Sequence, residues 1–425
     1  MGCPSFASSW TRRVKSLRMV LIFGHSPIAP QAVFWWSTAV LFYTYLGYPI
    51  LLLVMSRFRK RPVLRAVQSS SVSIVIAAYN EERDLKVKLQ NTLALDYPKD
   101  KIEVIVASDC STDRTDQIAR SFASRGVHLV RQELRLGKTA AQNAAVEQAI
   151  GDILLFSDST TLYSPDILRV ILPNFADPTV GCVAGCLIYV DPAGSSIGRG
   201  ARSYWGYESF LKRCESRVGS LVGVSGCLYA VRRSAYVPFP SEACSDFLIA
   251  TTMVEQGLRA IYDPDAVCFE ETNRWADEEF KMRVRIITRT LSDLWRHRLM
   301  MSPLRSGFYA VQLISHKVLR YLVPFFLIAT LLTSMILAPF STFYAIVSAG
   351  QICFYLAAAL SWMLERTGKS IRKLALPQYF VLANLAAFVA FLKFLRGEKY
   401  SLWEPGRKPR TAATPPTPSY NKASQ

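Results

Sequence analysis

Four short stretches of this sequence gather carboxylates, amides, hydroxyls and a lysine: Tyr79-Asn80-Glu81-Glu82, Asp109-Cys110-Ser111-Thr112-Asp113-Arg114-Thr115, Gly137-Lys138-Thr139 and Ser157-Asp158-Ser159-Thr160. Brought together, side chains of these types can bind a base, a ribose and a metal-bridged diphosphate, the chemistry of a nucleotide-sugar site. Asp158 is the most sharply placed. The apolar run Ile153-Leu-Leu-Phe156 stops at Ser157-Asp158, and Pro165 at the start of the next helix keeps the connection polar. A carboxylate at the carboxyl end of a buried strand lies where open α/β sheets bind ligands. Taken singly, Asp158 and Asp109 also suit a turn or a helix cap, Glu81 and Glu82 a helix N-terminus, and Lys138 a solvated surface. Gly137-Lys138 offers a cation and helix-start N–H groups to phosphate. The glycine-rich loop of a P-loop is missing ahead of it, and no Gly-x-Gly-x-x-Gly follows the first strand.

The elements that must position these residues alternate between 71 and 190. Val72 to Tyr79, Ile102 to Ser108, Val127 to Val130, Ile153 to Phe156 and Val180 to Val190 are short and rich in β-branched residues. Between them lie Leu85, Leu89 and Leu93 at helical spacing, then Ile118 and Phe122 after a capping Asp113, then the alanine-rich Thr139 to Ile150. This alternation predicts an α/β fold, a mostly parallel sheet with helices on both faces, whose strand ends converge on one crevice.

Composition adds a membrane to this picture. The 425 residues are 51% hydrophobic and carry a formal net charge of +18, and the mean hydropathy of +0.18 is high for a wholly soluble chain. A basic tail over 1–32, with Arg12, Arg13, Lys15 and Arg18, precedes an apolar segment at 33–55 long enough to span a bilayer. Arg57, Arg59, Lys60, Arg61 and Arg65 follow it, which favours a cytosolic domain next. Further membrane helices are predicted at 319–338 and 343–364, and 377–395 either crosses or lies in the interface. Residues 276–301 read as a basic amphipathic helix lying on anionic lipid, with Phe280, Val284, Ile287, Leu291 and Leu294 on one face. After 408 the proline, threonine and serine composition predicts a disordered tail. The excess charge flanks apolar helices and no groove-reading motif is present, so no nucleic-acid partner is expected. The nine cysteines lack paired spacing and read as buried, reduced thiols.

In their order and spacing, Ala78-Tyr79-Asn80-Glu81-Glu82, Asp109-x-Ser-x-Asp113-x-Thr115, Gly137-Lys138 with Asn143, and Ser157-Asp158 resemble the inverting glycosyltransferases of family two. The resemblance covers roughly Val72 to Arg289, and the flanking apolar segments are similar to those of polysaccharide synthases of the hyaluronan, cellulose and poly-N-acetylglucosamine type. It implies a nucleotide-diphospho-sugar transferase (GT-A-like), Rossmann-type domain over 71–275, with a donor half at 71–190 and an acceptor half at 191–275. Tyr79, Glu81 and Asp109 would hold base and ribose, Lys138 would lie near the donor, and Asp158 would head the Asp-x-Asp metal motif. Thr160 stands where the second Asp belongs, so a divalent cation (Mg2+ or Mn2+) would depend on Asp158, the donor diphosphate and water. Gly226, in Ser225 to Arg233, matches the acceptor-side glycine segment, and Asp246 the catalytic base. Met282-Arg-Val-Arg285-Ile286 stands for the Gln-x-x-Arg-Trp motif, which would turn Arg285, and Arg289 after it, toward diphosphate or acceptor; the stacking Trp is absent. Trp403-Glu-Pro405-Gly-Arg407 approximates the relatives' Trp-x-Pro-x-x-Arg tail, one residue short.

The resulting expectation is a multi-pass enzyme of the inner (cytoplasmic) membrane with its catalytic domain in the cytosol. Its partners would be a nucleotide-sugar donor, a saccharide or lipid-linked acceptor, the bilayer and other export components. The missing Trp and few membrane segments lean toward single additions, the interfacial helix and carboxyl-terminal segments toward a polymer.

Overall fold

Strands β1 (Val72–Ala78), β2 (Ile102–Ser108), β3 (Val127–Arg131) and β4 (Ile153–Asp158) are joined in one sheet by β5 (Leu162–Tyr163), β6 (Val180–Val190), β7 (Leu228–Arg232) and β8 (Arg259–Glu271). The computed structural model describes residues 28–67, 69–191, 194–273, 275–367, 371–400 and 402. Arg12, Arg13, Lys15 and Arg18, the Trp403 to Arg407 segment and the 408–425 tail lie outside them. The strand order is β3-β2-β1-β4-β7-β6-β8-β5. Only β5 and β7 run against the others, so the sheet is mostly parallel, and its donor-side half, β3-β2-β1-β4, is wholly so. Parallel strands are buried on both faces. Val75, Ile105, Leu154 and Phe156 point into one apolar cluster, whereas Ile74, Ile76, Val104, Val106 and Leu155 point into another. Each such side chain contributes about 1.5–3 kcal/mol on burial, which holds the strand ends in register.

The crossover helices are α1 (Ile28–Phe58) ahead of the sheet, then α2 (Leu85–Leu93), α3 (Thr115–Ser121), α4 (Lys138–Gln148), α5 (Ile167–Ile171), α6 (Ser196–Val218) and α7 (Ser245–Glu255). After β8 come α8 (Ala276–Arg296), α9 (Phe308–Leu337), α10 (Thr342–Arg366) and α11 (Ala375–Leu395). Residues 28–32, read from sequence as tail, already belong to α1. Four helical segments, Ile28–Phe58, Phe308–Leu337, Thr342–Arg366 and Arg372–Leu395, are long and apolar enough to cross a membrane.

Three elements escaped the sequence reading. β7 inserts between β4 and β6, β8 carries thirteen residues, and α6 runs for twenty-three. The reading of 276–301 needs correction. Its regular helix ends at Arg296, and the apolar stripe Val284, Ile287, Leu291 and Leu294 packs with Phe247 and Leu248 of α7 and Ala386, Ala387 and Ala390 of α11. Protein covers that stripe rather than lipid, because α11 folds back on it; Thr288 Oγ1 even lies 3.4 Å from the Ala390 carbonyl.

Candidate active site

The backbone turns sharply where β1 and β2 end. Asn80 and Cys110 adopt left-handed conformations, φ 52° and 59°, that residues other than glycine seldom take. Cross-loop bonds hold them: Asn80 Oδ1 accepts from the Thr112 N–H at 2.9 Å, and Asp113 accepts from the Glu82 N–H at 3.0 Å and the Thr115 N–H at 2.9 Å. The Glu81 N–H donates to Thr115 Oγ1 at 2.7 Å. Tyr79 lies on this rim beneath the Arg135 guanidinium, 3.9 Å from its ring centroid.

Asp109 closes the same rim from below. It is 1% exposed, and its carboxylate accepts from the Leu136 N–H at 2.8 Å and the Gly137 N–H at 2.9 Å. Gly137 has φ 99°, a conformation open to glycine, and this turn aims Lys138, the first residue of α4. Asp109 thus fixes the loop that presents the lysine, a geometry in which its oxygens are already engaged.

Lys138 reaches the end of β4, where its ammonium bonds Asp158 Oδ1. Gly226, just before β7, explains how the acceptor side joins them: a Cβ there would stand 3.1 Å from Lys138 Nζ and 3.3 Å from Asp246 Oδ2. A side chain at 226 would require both groups to give by a few tenths of an ångström. Burial alone would lower the Lys138 pKa, but the Asp158 and Asp246 carboxylates outweigh it and hold the ammonium above the usual lysine range. Asp246 sits in the first turn of α7, with the Val224 N–H on its carbonyl at 2.9 Å. A lysine is thus flanked by two carboxylates from distant parts of the chain, at the end of β4 and the start of α7.

Residues 73–237 match the model of the family described as Glycosyl transferase family 2. The chain carries a family 2 glycosyltransferase domain. Over 247 residues it is 26% identical to a poly-beta-1,6-N-acetyl-D-glucosamine synthase of Staphylococcus aureus (strain COL), covering 56% of this chain and 55% of that protein. Over 116 residues it is 35% identical to a beta-monoglucosyldiacylglycerol synthase of Synechocystis sp., covering 26% of this chain and 24% of that one. The chain therefore spans about half the length of the first relative and a quarter of the second. A solved mannosyltransferase from Pyrobaculum calidifontis, in complex with GDP-Man and Mn2+, shares the fold with a TM-score of 0.68 at 23% identity, over 87% of this chain and 99% of that one.

Three residues beyond the sequence motifs pack around these side chains. Cys244 Sγ donates to Asp246 Oδ1 at 2.9 Å; burial, reinforced by that carboxylate, pushes the thiol pKa far up, so it stays a donor. Glu270 of β8 accepts from Thr160 Oγ1 at 3.0 Å. Strand pairing Leu162↔Phe269 brings it there, since the β4–β5 turn must hang over β8. Beneath that turn Lys88 of α2, with no exposed surface, donates to Ser157 Oγ at 2.7 Å and to the Thr161 carbonyl at 2.6 Å. Its ammonium lies 3.4 Å from the Tyr163 ring centroid. The sequence motifs do not include Lys88, and only the fold reveals that it points inward.

Arg289 of α8 is engaged by protein oxygens. Arg289 donates to the Glu242 carbonyl at 3.0 Å, to Thr139 Oγ1 at 3.1 Å and to the Ala243 carbonyl. It braces the entry to α7 against the start of α4, with its N–H groups directed at protein oxygens. Arg285, one turn earlier, is half-buried. Among the described residues no group of three or more His, Cys, Asp and Glu side chains is disposed to hold a metal.

Proposed function

We propose that this protein is a membrane-embedded inverting glycosyltransferase, moving a sugar from a nucleotide-diphospho-sugar to a hydroxyl of a saccharide or lipid-linked acceptor in cell-envelope or extracellular polysaccharide synthesis. The supporting observation is the convergence of Asp158, Lys138 and Asp246 against Gly226. Tyr79 and Glu81 line the nucleotide side, and Asp109 shapes it through the 136–137 peptides. Lys138 stays charged and faces the diphosphate. Asp246, across Gly226, takes the acceptor hydroxyl proton as that oxygen bonds to the anomeric carbon and the bond from that carbon to the diphosphate oxygen breaks. The nucleoside diphosphate leaves with the electron pair, and direct displacement inverts the anomeric carbon.

The oxygen set at the β4–β5 turn fits a hard divalent cation, Mg2+ or Mn2+. Asp158 would supply one carboxylate and Glu270 of β8, which accepts from the Thr160 hydroxyl, a second; donor phosphate oxygens and water would fill the remaining positions. When bound, such an ion offsets charge building on the leaving diphosphate. The four apolar helices and the basic residues that follow α1 support a multi-pass protein of the cytoplasmic membrane with its catalytic domain in the cytosol.

Purified full-length protein, offered radiolabelled nucleotide sugars with lipid and saccharide acceptors, should transfer sugar. Failure to transfer or hydrolyse any of them would defeat the reading. A second reading, single transfer to a lipid acceptor, is favoured by Ile286, where polymerising relatives carry the stacking Trp. Product length on a gel separates the two.

A further inference from the structure

Away from the cleft, a cavity of about 440 Å³ opens between α6 and the foot of α11. Arg199, Arg202 and Ser203 form one wall, and Arg372, Ala375 and Leu376 the other. The α6 residues fall three and four apart, so a single helix face presents them together. The helices approach closely beside the cavity because position 200 is glycine: a Cβ there would meet that of Tyr379 at 2.5 Å. That contact sets the width of the gap.

Three of the residues lining this gap are arginines. Beside it Asp191 lies 3.9 Å from the Arg202 guanidinium and accepts from the Ser195 N–H at 3.3 Å. The residues lining the cavity include three arginines and no carboxylate, a lining suited to an anion. Arg199 is held in place by donation to the Gly194 carbonyl at 2.5 Å, which uses one of its five N–H groups. The far wall has a different character. Leu376 is 61% exposed at the beginning of a segment, Arg372–Leu395, apolar and long enough to cross a membrane. A ligand fitting both walls carries a compact anion at one end and a hydrocarbon tail at the other.

We propose that this cavity binds the phosphate-bearing headgroup of an anionic membrane lipid. The guanidinium groups of Arg199, Arg202 and Arg372 take the phosphate oxygens in the forked geometry suited to them, and the acyl chains run along Leu376. The lipid bridges the catalytic domain, through α6, and the membrane segment, through α11. The proposal rests on reading Arg372–Leu395 as a membrane segment. It does not need turnover, so it can fail or stand independently of the transferase reading.

The test is native mass spectrometry of the full chain in detergent, titrated with dioleoylphosphatidylglycerol or dioleoylphosphatidylcholine. Retention should favour the anionic lipid, and each arginine removed should weaken it roughly fivefold, so Arg199→Gln with Arg202→Gln lowers affinity more than tenfold. Arg57→Gln with Arg59→Gln, which removes the same charge from exposed positions at the end of α1, should leave it unchanged. Leu376→Asp, an exposed substitution that keeps every arginine, should also weaken retention. Equal loss in both arginine pairs would mean general surface attraction and overturn the site. Displacement of the lipid by soluble glycerol phosphate at equal concentration would make it a soluble-phosphate site and overturn the lipid assignment.

Discussion

Asp109 and Asp158 end strands on either side of β1, yet their carboxylates live in different company. Asp109 is filled by the peptide N–H groups of Leu136 and Gly137, so its charge is neutralised by the chain that it shapes. Asp158 is balanced by the side chain of Lys138, which also answers to Asp246. A peptide N–H cannot leave without unfolding a loop, whereas a lysine side chain can rotate and yield its partner to a ligand. On the proposed function, this difference separates a carboxylate that shapes the nucleotide side from one that works against the donor, and the substitutions at each position can break that division.

The largest effect is expected at Asp246. Asp246→Asn keeps the shape and removes the proton acceptor, so kcat should fall by about 10²–10⁴ while nucleotide affinity, measured by calorimetry, holds. Near-normal turnover would move the base elsewhere. Asp109→Ala should act through structure. Two N–H groups, that of Gly137 buried and that of Leu136 partly so, lose a charged acceptor, and thermal unfolding should register a loss of about 2–3 kcal/mol. Full stability with selective loss of nucleotide affinity would mean that Asp109 binds ligand directly, and the contrast would vanish.

A smaller change tests the metal side. Asp158→Ala and Glu270→Gln should each weaken Mn2+ binding, read by electron paramagnetic resonance with a nucleoside diphosphate present, by roughly tenfold to a hundredfold. Unchanged affinity in Glu270→Gln would leave Asp158 as the sole carboxylate.

How much of this could be read before folding depends on which interactions are local. The parallel half of the sheet was legible because its strands are buried on both faces and spell continuous apolar runs, as in Val72 to Ala78. Asp158, Asp109 and Lys138 followed, since strand ends and helix starts carry their own punctuation. Asp246 and Gly226 came from resemblance, not from pattern. Glu270, Cys244 and Lys88 left no mark: each acquires its partner across 110, 2 and 69 residues respectively, set by strand pairing or a helix turn rather than by spacing. The amphipathic stripe of α8 misled for the same reason. Periodicity tells that a face is covered, and only tertiary structure tells whether α11 or lipid covers it.

Lys88 offers the finest test of the comparison, because it bonds Ser157 next to Asp158 as Asp109 bonds the 136–137 peptides next to Lys138. Burial lowers its pKa to about 7, against the pull of Cys268, Asp158, Cys227 and Glu270 in the other direction. In the unfolded chain a lysine titrates near 10.4. Between these values the unfolded state binds more protons, so stability rises with pH. Below about pH 7 both states are charged and the full cost of burying the ammonium is present; that cost is relieved as pH climbs toward the unfolded value. Lys88→Met removes the titration while retaining bulk. The stability of the parent relative to this variant should therefore increase by roughly 1–2 kcal/mol from pH 7 to 8.5, measured as the difference in thermal unfolding of the two proteins. A flat difference would show that the ammonium under the β4–β5 turn keeps its charge throughout, held by Ser157 and Thr161 as firmly as the peptides hold Asp109.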